Sequence, residues 1–309
     1  MNMHVPHVLL KTPETPIASQ MAAGVEYAFS PQLAIRFDKE LHTLWMHWNP
    51  QPRPCFNPAL LKDLRVYCEF VKKSDGILHG PEGDIPIEYV IIASNAQGVF
   101  NLGGDLDLFT RLIETRDRDG LVLYGRACID TLYDNYLAYG HPLTTISLIQ
   151  GECLGGGFEA AMSSDLLVAE KSARFGFPEI LFNLFPGMGA YSFLVRKVGQ
   201  KVTEEMLSSG KIYSADDMLA MGIVDAVAED GQGRQEVAAL IKKRSRARNG
   251  LAAISAVRRR IHRTLDFSEL LDIVGIWADS ALKLTSRDMK LMQRLVSRQN
   301  GVGSAAQVH

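Results

Sequence analysis

The middle of the sequence alternates buried β-strands with helices, and this order restricts the possible folds more than any other feature. Continuous apolar runs at 87–94, 144–150 and 166–169 have the composition of strands that are buried on both faces. Apolar residues at helical spacing occupy 106–115 and 121–139, between the first two of these strands. Because strands separated by helices pair in parallel as βαβ units, the sequence predicts an α/β fold.

The segment before this core predicts further strands. Residues 25–29 and 33–37 alternate apolar and polar side chains, as half-buried strands do, and 43–48 is predicted as a third strand. An asparagine followed by a proline at 57–58 has the pattern of a helix start. Residues 74–86 contain three glycines and two prolines, which predict a loop.

The two ends of the chain differ in character from the middle. Residues 1–23 mix proline, threonine, histidine and methionine without an apolar block, so we expect a disordered tail and no signal peptide. The core is predicted to span 24–230, and continuous helix to fill a C-terminal region at 231–309. An apolar stripe in this region either caps the chain's own core or packs on a neighbouring subunit; it consists of Leu270, Val274, Trp277, Ala281 and Leu284.

Composition and charge argue against several classes of function. The formal net charge of -2 provides no field that would recruit nucleic acid or an anionic membrane. No stretch reaches the ~18 consecutive apolar residues that a membrane span needs. The four cysteines form no CxxC pair, and the eight histidines are scattered and include no HExxH motif. We therefore expect no metal site, and reduced thiols in a cytoplasmic protein.

Glycines follow the strand at 87–94, in the motif FNLGGDL at 100–106. Glycine just before a helix lets backbone N–H groups approach an anion closely. Asp105 can cap the helix that follows. Taken alone, this motif fits either an anion-binding turn or an ordinary glycine turn before a capped helix.

A second glycine-rich motif, GECLGGGFEA at 151–160, follows the strand at 144–150 and opens another helix. Three consecutive glycines are poor helix formers, at a cost of up to ~1 kcal/mol each relative to alanine. Their presence is explained if a ligand must approach the backbone at this helix N-terminus, where the helix dipole is positive. Glu159, one turn into the helix, is either matched to that dipole or catalytic.

The third motif is the apolar segment FGFPEILFNLFPGMGA at 175–190, in which Glu179 is the only charged residue. A carboxylate among Phe, Leu and Ile side chains is expected to have a raised pKa, as a general acid near neutral pH requires. The alternative is a solvent-facing position in a loop, which Pro178 makes possible.

The three motifs together are more informative than any one of them. The two glycine loops supply two N–H donors, and the two glutamates supply an acid and a base. This set is sufficient to stabilise an enolate.

These motifs, with YSADDMLAMGIVDAV at 213–227, resemble those of the crotonase (enoyl-CoA hydratase/isomerase) superfamily, and the resemblance covers residues 25–290. It implies an α/β, ClpP-like spiral of repeated ββα units with a C-terminal helical region that caps the site and joins subunits. The family forms trimers or dimers of trimers. No cofactor is implied, because the acyl group is carried as a thioester of coenzyme A or of acyl carrier protein.

The resemblance also assigns roles to four residues. Gly104 and Gly156 match the two oxyanion-hole amides of the family. Glu159 and Glu179 match the two carboxylates of its hydratases, which favours addition or removal of water. Which glutamate is the acid and which the base stays open.

The phrases NLGGDLDLF, PEILFNLFPGMGAYSF and IWADSALKL resemble a narrower subgroup, the bacterial synthases of diffusible signal factors, which are cis-2-unsaturated fatty acids. This resemblance implies dehydration of a 3-hydroxyacyl thioester on acyl carrier protein, followed by hydrolysis of the thioester. Phe158 departs from ordinary hydratases, which have a small polar residue or cysteine there. The alternatives are an enoyl-CoA hydratase of fatty-acid degradation and, outside enzymes, a partner-binding module, against which the retained glutamates and glycines argue.

An apolar tunnel for a fatty chain is predicted around these motifs, although ordinary core packing explains several of the aromatic residues equally well. The residues predicted to line the substrate pocket are Leu102, Gly103, Phe158, Leu181, Phe182, Met188 and Trp277.

Basic residues cluster in the C-terminal region, at 242–248 and 258–263. Such a cluster is typical of a solvated helix face. Two other interpretations are a docking surface for an acidic carrier protein or for the phosphates of coenzyme A, and a nucleic-acid site. The slightly negative total charge disfavours the nucleic-acid site.

Overall fold

A seven-stranded sheet forms the centre of the structure, a computed structural model that describes residues 26–80, 83–261 and 265–305. In order across this sheet, the strands are β1 (Glu26–Ser30), β2 (Leu33–Asp38), β3 (Thr43–Trp48), β6 (Tyr89–Ser94), β8 (Thr144–Ile149), β10 (Leu166–Glu170) and β13 (Ala226–Ala228). The pairs β1–β2 and β2–β3 are antiparallel, and every later pair is parallel. The predicted α/β class and parallel pairing are therefore confirmed.

A second sheet has four short strands, and a hairpin completes the β-structure. The four-stranded sheet has the order β12 (Ile212–Ser214), β11 (Arg174–Gly176), β9 (Glu152–Leu154) and β7 (Val99–Asn101). The hairpin pairs β4 (Ile77–Gly80) with β5 (Gly83–Pro86).

Ten α-helices connect or cover these strands in the described ranges. They are α1 (Pro58–Lys73), α2 (Leu106–Glu114), α3 (Arg118–Tyr136), α4 (Gly156–Met162), α5 (Ala190–Ser209), α6 (Ala215–Ala220), α7 (Gly233–Ser245), α8 (Arg248–Ile261), α9 (Phe267–Ala281) and α10 (Ser286–Ala305). Two 3₁₀ turns occupy Ala138–Gly140 and Pro178–Phe182. The helix start predicted at 57–58 is confirmed, because the Asn57 side chain accepts a hydrogen bond from Leu60 N and Pro58 is the first helical residue.

Three successive units repeat the same path between the two sheets. Each places a strand in the large sheet, the next strand in the small sheet and then a helix, as in β6–β7–α2, β8–β9–α4 and β10–β11–α5. Consecutive units lie side by side, so β7 pairs with β9 and β9 pairs with β11. The turns that leave β7 and β9 are therefore neighbours in space.

One prediction about an irregular region was wrong. The predicted loop at 74–86 contains the β4–β5 hairpin, in which Leu78 pairs with Ile85 and is 1% exposed. Burial of this apolar side chain orders a segment whose glycines and prolines resemble a loop. In the C-terminal region, predicted as a run of helices, the described residues form the four helices α7 to α10.

The apolar stripe of α9 packs inside its own chain. Leu270, Val274, Trp277 and Ala281 are all buried, and a Cβ atom added to Gly125 of α3 would lie 2.6 Å from Val274 Cγ1. Of the two alternatives for this stripe, the structure has the one in which it caps the chain's own core.

Two further predictions concern the ends of the chain and membranes. The N-terminal tail predicted at 1–23 lies outside the described residues. Among the helices described, none combines the length and apolar character required to cross a bilayer.

Candidate active site

The two glycine loops meet because their strands pair. Asn101 at the end of β7 is opposite Cys153 of β9. A Cβ atom on Gly103 would lie 2.8 Å from Gly156 N, and one on Gly157 would lie 2.1 Å from Asn101 O. Glycine is required here because the two backbones approach too closely for any side chain.

The first loop uses almost all of its own polar groups. Leu102 N donates to Pro54 O, Gly103 N to the Asn101 side chain, and Asp105 N to the Tyr124 hydroxyl. Between these residues, Gly104 N–H is the one amide that meets no acceptor in the described part of the chain. This leaves Gly104 N–H free to bind a ligand.

The second loop leaves a matching amide free. Gly155 N donates to Gly176 O, while Phe158 N and Glu159 N both donate to Gly155 O. Gly156 N–H meets no acceptor among the described residues. A Cβ atom on Gly156 would lie 3.5 Å from Gly104 N, so the two free amides belong to adjacent segments.

Glu159 is completely buried on the first turn of α4. Its Oε1 atom accepts hydrogen bonds from Met188 N at 2.8 Å and Ala190 N at 2.9 Å. Its Oε2 atom has no hydrogen-bond partner among the described residues. Burial raises the pKa of Glu159 to about 7, and the two backbone hydrogen bonds oppose this rise.

Glu179 lies in the 3₁₀ turn, against the second glycine loop. A Cβ atom on Gly155 would lie 2.3 Å from Glu179 Oε1, and the Oε2 atom has no hydrogen-bond partner among the described residues. Burial of the carboxyl, and then the charge of Glu159, raise the pKa of Glu179 to about 8. The raised pKa predicted for this residue from its apolar surroundings is therefore present in the structure.

A single cavity of about 150 Å³ brings these groups together. Its lining includes both free-amide glycines and both glutamates, and five of the residues predicted for the pocket: Leu102, Leu181, Phe182, Met188 and Trp277. Trp277 forms part of the wall by packing against two other residues of the cavity. Its ring centroid is 5.0 Å from that of Phe109, and a Cβ atom on Gly187 would lie 2.4 Å from Trp277 Cγ.

Phe158 and Gly103 do not line this cavity, which corrects the prediction made for them. Phe158 is completely buried, and its ring stacks on Phe177 with centroids 5.0 Å apart and meets Phe175 at 5.3 Å. It is therefore a core residue. Gly103 is enclosed by Gly156 and Leu154 O, so its role is to let the loops approach each other.

Several residues of the cavity have no signal in the sequence. Leu295 and Gln299 come from α10, far along the chain from the glycine motifs. Gly210 and Ile212 come from the end of α5 and from β12. A polar residue such as Gln299 in an amphipathic helix is indistinguishable from an exposed one until the packing of that helix is known.

The arrangement can perform proton transfer beside an oxygen that gains negative charge. Two free N–H groups can stabilise such an oxygen, and two carboxyl groups with pKa values near neutrality can give and take protons. Within the described ranges, no cluster of three or more His, Cys, Asp or Glu side chains could hold a metal ion.

Comparison with known proteins gives the family of this chain. Residues 71–289 match the family model for enoyl-CoA hydratase/isomerase. The chain belongs to this family. The alpha subunit of the fatty acid oxidation complex from Pseudomonas savastanoi pv. phaseolicola is 31% identical over 172 residues, which are 56% of this chain and 22% of that protein. This hydratase/isomerase family member thus spans about a fifth of the length of the curated relatives it matches.

Solved structures match the fold of this family member over most of its length. An enoyl-CoA hydratase from Bacillus halodurans has a TM-score of 0.69 and 19% identity, with 85% of this chain and 99% of that chain covered. Human mitochondrial delta3-delta2-enoyl-CoA isomerase has a TM-score of 0.70 and 18% identity, covering 86% and 97%. Pseudomonas aeruginosa DspI has a TM-score of 0.61 and 22% identity, covering 82% and 98%. These matches confirm the crotonase fold predicted from the motifs.

Proposed function

We propose that this protein dehydrates a 3-hydroxyacyl thioester carried on acyl carrier protein, and then hydrolyses the thioester to release a cis-2-unsaturated fatty acid, a diffusible signal factor. One observation carries the proposal: two carboxyl groups with raised pKa values and two free main-chain amides line the same apolar cavity. Water removal next to a thioester needs this combination, because an acid, a base and an oxyanion site must act on one molecule.

The oxyanion site acts on the thioester carbonyl. The N–H groups of Gly104 and Gly156 donate to the carbonyl oxygen and bind it more strongly as the enolate forms. Loss of one such donor typically costs about 10²–10³ in rate. Because the donors are fixed before substrate binds, little reorganisation opposes the reaction.

The proton shared by the two glutamates rests on Glu179. Two backbone N–H groups favour the ionised form of Glu159, whereas the charge of Glu159 favours the neutral form of Glu179. In this state Glu159 takes a proton from water and Glu179 gives one to the α-carbon of a 2-enoyl thioester, which is hydration. Dehydration is the reverse and begins with the shared proton moved to Glu159: the ionised Glu179 removes the α-proton, and Glu159 protonates the departing 3-hydroxyl group, which leaves as water.

Hydrolysis of the thioester uses the same groups. A glutamate removes a proton from water as the water oxygen bonds to the carbonyl carbon, and the two amides hold the resulting oxyanion. The carbon–sulfur bond then breaks, and the glutamic acid returns its proton to the departing thiolate. Free acid and free carrier thiol are the products.

Incubation of the purified protein with 3-hydroxyacyl-carrier protein and, separately, with crotonyl-CoA tests the proposal. Release of free cis-2-enoic acid from the first substrate is expected. Full activity in a folded Glu179→Gln variant would refute the mechanism, because this side chain can no longer exchange a proton.

An ordinary enoyl-CoA hydratase is the second candidate. The 31% identity to the alpha subunit of a fatty acid oxidation complex favours it. In the same experiment, this candidate predicts fast hydration of crotonyl-CoA without release of free acid.

Association as a trimer or a dimer of trimers is part of the proposal. Ile254, Val257 and Ile261 of α8 lie three and four positions apart and are 56% to 66% exposed, which is unfavourable for a helix face that stays in water. Light scattering on the purified protein, at loading concentrations above and below the micromolar range, measures the assembly directly.

The basic cluster fits a helix face better than a dedicated carrier-protein dock. Arg248 pairs with Glu88 and Arg258 pairs with Asp165, so part of its charge is already neutralised within the chain. Lys242 and Lys243 are exposed. If the carrier protein docks here, replacing both lysines by glutamine raises KM for acyl carrier protein and leaves KM for acyl-CoA unchanged.

A further inference from the structure

The loop that carries Gly104 is held in place from the far end of the chain. Gln299 lies on α10, is 4% exposed and lines the cavity. Its Nε2 atom donates to Leu102 O and to Gly104 O, both at 3.3 Å. The two hydrogens of a side-chain amide allow one bond to each carbonyl.

These bonds complete the restraint of the loop. Gly103 O, between the two carbonyls held by Gln299, accepts a hydrogen bond from Phe56 N at 2.8 Å. Every carbonyl from 102 to 104 therefore has a donor, and only the amide of Gly104 is left for a ligand among the described groups. Two consecutive glycines would otherwise let the Gly103–Gly104 peptide plane rotate.

Packing alone does not explain a glutamine at this position. The Oε1 atom of Gln299 is buried and has no hydrogen-bond partner among the described residues. An unpaired buried polar atom costs about 1–3 kcal/mol. A leucine or methionine would cover the apolar cavity without this cost, so the amide must stabilise something that an apolar side chain cannot.

We infer that Gln299 is a positioning residue, which keeps the Gly104 N–H directed at the thioester carbonyl. It acts through the main chain and does not contact the reacting atoms. The inference rests on the proposed function in one respect, that Gly104 N–H stabilises the enolate. It also means that the oxyanion site is complete only when α10 is docked on the cavity.

The variant Gln299→Met removes the donor and keeps a side chain of similar length. Exchange of the α-protons of a saturated acyl-CoA in D₂O measures enolate formation without departure of the 3-hydroxyl group. In Gln299→Met, we expect the rate of this exchange and kcat for dehydration to fall about 10- to 100-fold. This is less than the effect of losing an oxyanion N–H group itself, because the Gly104 N–H is misdirected and not removed. KM should change less than about threefold. Gln293→Met is the matched control, because Gln293 is exposed on the same helix; it should behave as the wild type.

A second measurement does not depend on turnover. Amide hydrogen exchange of the 100–106 segment should be at least about 10-fold faster in Gln299→Met than in the wild type or in Gln293→Met. If Gln299→Met destabilises the protein, Gln299→Glu, which has the same shape and lacks the amide donor, replaces it in both measurements.

The outcomes separate the two ideas. Unchanged loop exchange together with unchanged kcat in the Gln299 variants overturns the inference, whatever reaction the enzyme performs. A rise in KM with an unchanged kcat also overturns the inference, because that result assigns Gln299 to substrate binding. Wild-type protein that exchanges no α-protons overturns the proposed function, while loop exchange still tests whether Gln299 holds the loop.

Discussion

The two carboxyl groups of the site reach one cavity from different kinds of structure. Glu159 belongs to a helix in the core, is completely buried, and has one oxygen fixed by two main-chain N–H groups. Glu179 belongs to a short 3₁₀ turn whose next two residues, Ile180 and Leu181, are 37% and 57% exposed. The fold thus fixes one carboxylate as part of the core and carries the other on a surface turn, so the two should respond differently to substitution and to pH.

The largest effect is expected from replacing the carboxyl groups themselves. Glu159→Gln and Glu179→Gln should each lower kcat for dehydration by about 10²–10⁴, because each removes a proton donor or acceptor while preserving shape. Steady-state kinetics with a 3-hydroxyacyl thioester measures this.

The exposed Glu205→Gln on α5 is the matched control and should retain full activity. Exchange of the α-protons of a saturated acyl thioester then distinguishes the roles of the two carboxyl groups. Glu179→Gln should abolish this exchange, and Glu159→Gln should retain part of it; the reverse result would exchange their assigned roles.

The next largest effect is expected where the two loops touch. Gly103 has φ +91°, and a Cβ atom there would lie 2.8 Å from Gly156 N. Gly103→Ala should therefore displace the free amides and lower kcat by about 10²–10³. Gly98→Ala has the same kind of backbone strain, at φ +69°, but nothing within 4 Å of its Cβ, so it controls for strain without the collision. Equal loss of activity in both variants would contradict the argument from contact.

A smaller effect is expected in the pH dependence of stability. Folding raises the pKa of Glu179 from 4.5 to about 8, so the folded state binds this proton more tightly than the unfolded state. The stability that this proton contributes is fully present below the pKa of the unfolded state, 4.5, and is lost as the pH rises through the pKa of the folded state, about 8. The free energy of unfolding should fall across this window.

Glu179→Gln should remove part of this fall and stabilise the protein by at least about 1 kcal/mol at the upper end of the window. Glu159→Gln should stabilise it less, because its carboxylate accepts two backbone hydrogen bonds that favour the ionised form. Urea unfolding at a series of pH values measures both. If the free energy of unfolding depends on pH in the same way in both variants, the two carboxyl groups do not differ as proposed.

The smallest effect is expected at the exposed wall beside Glu179. Leu181→Ala should cost less than about 0.5 kcal/mol of stability, because the side chain is mostly exposed. It should still lower kcat/KM for long acyl chains by about threefold to 10-fold relative to short ones, since Leu181 lines the cavity. Leu123→Ala, at 64% exposure on α3, is the control. A uniform loss over all chain lengths would rule out a role in acyl-chain selection.

Local patterns were sufficient to predict most elements and to select two glycines and two glutamates that the structure brings to one cavity. The alternation of buried runs predicts the parallel strands, and a lone carboxyl in an apolar segment predicts the raised pKa of Glu179. Phe158 illustrates the limit: its place next to the glycines suggests a pocket residue, but its position on α4 buries it against Phe175 and Phe177. Gln299 could not be found from sequence, because its contacts are with residues 195 and 197 positions away.

The free amides of Gly104 and Gly156 have one more consequence, which concerns mutation over evolutionary time. A single base change can replace any side chain, but it cannot delete a peptide N–H except by introducing proline. The pairing of β7 with β9 holds the two glycine loops together, so a descendant that retains this pairing also retains the two free amides. The apolar wall of the cavity has no such protection, so a new acyl preference can arise there by ordinary drift without rebuilding the reactive centre.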